Sequence, residues 1–146
     1  MNYEMNKRRL HILICDEDIN LSMVLCDWLR SKDCVVDVVH TGQNALDSIR
    51  STHYDICLLE ISIPNKNGYE VLSDLRKTEN DIPVIMLTNR TAREDIIRAF
   101  ELGCDDYVTK PFSMDILFCR INAVVNRYTR NNESKQVVFN LGGKEF

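Results

Sequence analysis

Short apolar runs alternate along this chain with segments whose apolar residues recur at helical spacing, and that alternation restricts the fold more than any other feature. Ile12-Leu13-Ile14-Cys15, Val35 to Val39, Ile56 to Leu59, Val84 to Leu87 and Tyr107-Val108 are of strand length and rich in branched residues. A run that is apolar throughout, rather than at every second position, marks a strand covered on both faces. The helical patterns are Leu21, Leu25, Trp28 and Leu29; Ala45, Leu46 and Ile49; Val71, Leu72 and Leu75; Ile96, Ile97 and Phe100; and Leu117, Ile121 and Val124, the last reaching about Arg127. Asp18 is placed to cap the first helix, Pro64 to Gly68 reads as a loop, and Gly103 reads as the stop of the fourth helix. Strands and helices in strict succession predict an α/β domain, a doubly wound five-stranded parallel sheet with helices on both faces.

A chain of 146 residues, 45% of them hydrophobic, is enough for one such domain and a short tail, with no need of metal or disulfide staples. Cys15, Cys26, Cys34, Cys57, Cys104 and Cys119 are scattered without a C-x-x-C pair, which argues against a zinc site or a disulfide framework. Cys15, Cys34 and Cys57 fall in or beside apolar runs and read as small hydrophobes. The isolated His11, His40 and His53 read as structural or solvated. No signal peptide and no apolar run of transmembrane length is present, so a cytoplasmic location is expected. A net charge of -4, with Lys7, Arg8 and Arg9 read as a solvated terminal run, argues against nucleic-acid binding by this piece alone. Beyond Arg127 the pattern breaks: Tyr128 to Gln136 is polar and linker-like, and Val137 to Phe146 reads as one strand with a Gly-Gly turn. The expected division is one domain over 1–128 and a linker with the edge of something larger over 129–146.

In a doubly wound sheet, ligands bind beyond the carboxyl ends of the strands. Asp16-Glu17 follows the first strand, Glu60 the third, Thr88 the fourth and Lys110-Pro111 the fifth, whereas His40-Thr41 after the second fits no obvious role. Taken singly these are commonplace: acids before a helix favour its dipole, and lysines are usually solvated. Together they bring three acids, a hydroxyl and an ammonium to one edge. Three carboxylates repel, so the set calls for a cation, either Lys110, a divalent metal or both.

The segments I-L-I-C-D-E-D-I-N-L, Y-D-I-C-L-L-E-I-S-I-P-N-K-N-G, P-V-I-M-L-T and G-C-D-D-Y-V-T-K-P-F, in that order and spacing, resemble the receiver domains of two-component response regulators over roughly Leu10 to Arg127. The resemblance implies a flavodoxin-like (CheY-like) fold with strand order 2-1-3-4-5. It implies that Asp16 and Glu17, with the acid at position 60 and the carbonyl of Ser62, hold Mg²⁺. Thr88 and Lys110 match the groups that contact the bound phosphoryl, Tyr107 matches the aromatic that moves with Thr88, and Pro111 matches a proline usually preceded by a cis bond. Two positions depart from the pattern. Glu60 stands where the family has its phosphate-accepting aspartate, and Asn89 follows Thr88 where small residues are common. Phosphoryl transfer depends on in-line positioning, and a displacement of ~1 Å costs on the order of 10²-fold. Glutamate keeps the charge but carries it toward Lys110, so the expectation is an atypical or phosphorylation-independent receiver, weak Mg²⁺ binding and impaired transfer from any sensor histidine kinase.

R-A-F-E-L-G-C-D-D-Y-V-T-K-P-F with Asp115, Arg120 and Arg127 is further similar to the OmpR/PhoB branch. That similarity implies a homodimer through the fourth helix, fifth strand and fifth helix, with Arg98, Arg120 and Arg127 opposite Asp105, Asp106 and Asp115. It also implies DNA binding and transcriptional control through a winged-helix domain, whose first strands V-V-F-N-L-G-G-K-E-F resembles. Asp16-Glu17-Asp18 resembles the D-x-D of haloacid-dehalogenase-like phosphatases too, but Asp105-Asp106 precedes Lys110 where that family has the reverse order. A flavin or nucleotide site needs a phosphate-cradling loop after the first strand, and the acids there would repel phosphate. An enzyme is not expected, and a pseudo-receiver serving only as a dimer scaffold stands as the alternative.

Overall fold

The computed structural model describes the backbone of residues 8–145 and the side chains of residues 8–130. The order is β1 (His11–Cys15), α1 (Ile19–Ser31), β2 (Val35–Val39), α2 (Gly42–Ser51), β3 (Ile56–Leu59), α3 (Gly68–Lys77), β4 (Val84–Thr88), α4 (Arg93–Leu102), β5 (Asp106–Thr109) and α5 (Met114–Glu145). All neighbouring strands pair in parallel, in the order β2-β1-β3-β4-β5. Alternate residues of each strand face opposite layers, which is why the three central strands β1, β3 and β4 are apolar almost throughout, whereas the edge strands β2 and β5 carry Asp37 and Asp106. On β1, Leu13 and Cys15 pack with α2, α3 and Ala99 of α4. Ile12 and Ile14 pack with Leu25 and Leu29 of α1 and with Leu117, Ile121 and Val124 of α5.

Local signals fix the helix ends. The Asp18 carboxylate accepts from Leu21 N at 3.0 Å, and Thr41 Oγ1 accepts from Asn44 N at 3.1 Å, which gives the residue after His40 its role. Asn67 and Glu70 form a capping box on α3. Gly103 closes α4 at φ 106°, a left-handed conformation that glycine adopts without steric cost.

The structure refines one expectation and revises two others. The apolar pattern of α4 forms the helix, but Ala99 is its buried contact, while Ile97 and Phe100 are 44% and 46% exposed. The basic start is more than a solvated run: Arg8 pairs with the buried Asp55, and Arg9 lies 3.2 Å from Asp33. Lys7 lies outside the described residues. The last helix does not end near Arg127; its backbone is helical to Glu145, through the segment read as linker and strand. Val137 onward has no neighbouring strand to pair with among the described residues, whereas a helix satisfies its backbone bonds within the segment. Among the described residues, no helix is long and apolar enough to cross a membrane.

Candidate functional site

The sheet order reverses between β1 and β3, and the groups at that edge converge beyond the strand ends. Asp16 and Glu60 are each only 5% exposed. The Lys110 ammonium donates to both, to Asp16 Oδ2 at 2.6 Å and to Glu60 Oε1 at 2.9 Å. The other Glu60 oxygen, Oε2, accepts from Ile61 N at 2.6 Å and Ser62 N at 3.2 Å. Asp16 Oδ1 accepts from Asp18 N at 2.9 Å. Every carboxylate oxygen of the pair therefore has a donor, as burial demands. Burial acts to lower the Lys110 pKa, but its hydrogen bonds to Asp16 and Glu60 outweigh that, and the net direction is up.

Thr88, at the end of β4, is fully buried and its Oγ1 accepts from Arg90 N at 3.3 Å. Tyr107 donates its hydroxyl proton to the Arg90 carbonyl oxygen at 2.8 Å, and burial pushes its pKa up to about 12. The Lys110–Pro111 peptide bond is cis. His40 Nδ1 donates to the Asp16 carbonyl oxygen at 2.8 Å, so it supports the backbone of the site. Gly68 closes the loop after β3: a Cβ there would lie 2.5 Å from the Glu60 carbonyl oxygen. The middle of that loop is tied to α2, Gly42 N donating to the Pro64 carbonyl oxygen at 3.2 Å and Gln43 N to Asn65 Oδ1 at 3.1 Å.

The residues expected to hold a metal, Asp16, Glu17, Glu60 and the carbonyl of Ser62, lie at this edge of the sheet. Asp16 and Glu60 meet only through Lys110, and Glu17 and Ser62 are exposed. Among the described residues, no group of three or more His, Cys, Asp or Glu side chains is placed to hold a metal ion. As arranged, the donors do not fit a divalent cation.

The mouth of the site holds what the sequence did not reveal. Asn89 is exposed, and it is Arg90 that reaches across, its Nε donating to Ser62 Oγ at 3.3 Å and its guanidinium lying 3.5 Å from Asp95. Asp95 in turn accepts from the Tyr69 hydroxyl at 2.7 Å, and Arg98 stacks over the Tyr69 ring at 4.2 Å. The only sequence cue was an arginine two residues beyond Thr88. On the face assigned to dimerisation, Arg120 pairs within the chain with Asp106 at 3.0 Å, Arg76 with Asp105 at 3.5 Å, and Asp115 lies in the first turn of α5.

This parallel 2-1-3-4-5 sheet, with an acid, hydroxyl and ammonium cluster at its switch point, is the architecture of a signalling receiver. The family model described as "Response regulator receiver domain" matches residues 12–122, and the chain belongs to that family. The transcriptional regulatory protein RprY of Bacteroides fragilis is 34% identical over 92% of this chain and 57% of its own length. The transcriptional regulatory protein CiaR of Streptococcus pneumoniae is 37% identical over 90% of this chain and 58% of its own length. The chain thus spans little more than half the length of these relatives. The receiver domain of the Francisella response regulator 1452 superposes with a TM-score of 0.79 at 30% identity, over 82% of this chain and 99% of that one.

Proposed function

We propose that this chain is the receiver domain of a DNA-binding response regulator in which Glu60 stands at the phosphoacceptor position and output does not depend on phosphorylation. The observation that carries the reading is the Glu60 carboxylate, held between the Lys110 ammonium and the Ile61 and Ser62 amides. In a phosphorylated receiver the added oxygens would seek such donors; here one methylene of extra reach lets the unmodified side chain take them. No turnover is assigned to the chain, and a cytoplasmic location fits the role. Residues 1–128 form the receiver unit, and 129–146 begin the connection to a winged-helix domain through which DNA would be bound. The names of RprY and CiaR, both transcriptional regulatory proteins, support that output.

A homodimer through α4, β5 and α5 completes the proposal. In that dimer Arg98, Arg120 and Arg127 would face Asp105, Asp106 and Asp115 of the second copy, Arg120 giving up its contact with Asp106 within the chain. The exposed Ile97, Phe100 and Ile116 add apolar surface to it. The deciding experiment incubates the protein with acetyl phosphate and Mg²⁺ and weighs it intact by mass spectrometry. The unaltered chain gains no phosphoryl group, and Glu60→Asp gains one. A phosphorylated Glu60 overturns the reading, and failure of both forms leaves a pseudo-receiver scaffold in its place.

A further inference from the structure

We infer that the Lys110 ammonium is the resident cation of this pocket, filling the place between Asp16 and Glu60 that a divalent ion would need and so excluding Mg²⁺ from it. The inference deepens the proposed function, since it names what holds Glu60 in place without phosphorylation. It rests on donor satisfaction, oxygen by oxygen. Asp16 Oδ2 and Glu60 Oε1 share the ammonium at 2.6 and 2.9 Å. Asp16 Oδ1 is taken by the Asp18 amide, and Glu60 Oε2 by two successive amides of its own loop.

Mg²⁺ demands a near-octahedral shell of oxygens, completed by water around one or two carboxylates, and so needs open space beside those carboxylates. Here the ammonium occupies the space between Asp16 Oδ2 and Glu60 Oε1, and Glu60 Oε2 already holds two amide donors, so an ion entering between the carboxylates would have to displace Lys110 or lie against its like charge. The Lys110 side chain is itself largely enclosed, 16% exposed, with both partners more deeply buried, so it cannot simply swing aside into water. Glu17 is exposed and takes no part in the cluster. One ammonium against two carboxylates leaves a single negative charge, and three backbone amides donate to it.

Lysine can fill this role because its ammonium is compact and carries three donors, which suits two carboxylates from different strands. The Glu60 side chain brings the second carboxylate to 2.9 Å from the ammonium. Removing the ammonium leaves two buried carboxylates facing each other, and that pair would then select for a cation from solution.

The test is metal binding without any phosphodonor, so that its outcome is separate from whether Glu60 accepts a phosphoryl group. Calorimetric titration with MgCl2 shows no saturable binding to the unaltered protein at millimolar concentration. The amide resonances of Ile61 and Ser62 stay in place throughout. Lys110→Ala and Lys110→Met bind the metal at least about tenfold more tightly. Mg²⁺ raises the melting temperature of both variants but not that of the parent. Saturable submillimolar Mg²⁺ binding by the unaltered protein, or variants that bind no better than it, overturns the inference. Should neither variant fold, the titration and resonance shifts of the unaltered protein decide it alone.

Discussion

The Glu60 carboxylate divides its contacts, one oxygen to Lys110 and the other back onto the Ile61 and Ser62 amides. Lys110 then answers two buried carboxylates at once. Replacing it with methionine keeps the stem and removes the charge, leaving Asp16 and Glu60 unopposed. Lys110→Met should lower stability by about 3 kcal/mol in urea denaturation, the scale for breaking a buried pair by removing one partner. Asp16, Glu60, Thr88 and Lys110 were legible in the sequence because strand ends fix them, and the strands announce themselves by composition. Arg90, Asp95 and Tyr69 were not, since their contacts depend on how a loop folds over the sheet edge and leave no periodic trace.

Among the elements, the loop after β3 is pinned against the start of α2. A Cβ on Gly42 would lie 2.0 Å from the Lys66 carbonyl oxygen, a backbone atom with little freedom to retreat. Gly42→Ala should therefore cost about 1–3 kcal/mol, the range for overpacking, and loosen Ile61 and Ser62 in amide exchange. On the other side of the mouth, Tyr69 of α3 holds the first turn of α4 through Asp95. Tyr69→Phe keeps the buried ring and removes the hydroxyl, so it should cost about 1 kcal/mol and speed exchange at the start of α4. A larger loss would mean that the ring packing changed as well. The helices themselves were readable from their apolar spacing. The rotation of α4 was not, because Ile96, Ile97 and Phe100 specify an apolar stripe without saying whether the sheet or a partner covers it.

At the scale of the whole molecule, the alkaline limit is set by buried thiols, tyrosines such as Tyr107 and one lysine. Burial pushes the pKa of Cys15 and Cys104 up to about 12 from an ordinary 9.0, and that of Cys57 well up. Between those values the folded chain keeps protons that the unfolded chain has lost, so stability falls as pH rises. Lys110 adds to this at higher pH: its pKa is raised above 10.5, so its contribution is complete below that value and disappears as the ammonium is titrated. Melting temperature followed from pH 8 upward should hold nearly level until about pH 9 and then decline, with serine at Cys15 or Cys104 shifting both the onset and the baseline. Dimerisation belongs to this scale as well. Light scattering over a concentration series should show self-association without phosphodonor, weakened by Phe100→Asp, and a strictly monomeric parent would remove the dimer from the proposal. The same burial that shelters five thiols leaves Cys119 of α5 as the exposed one. The chain therefore carries its own attachment point for a spin label or dye on a helix of that face. Labelling the unmutated protein there would give one reporter per protomer, and the spacing between two reporters would measure the assembly directly.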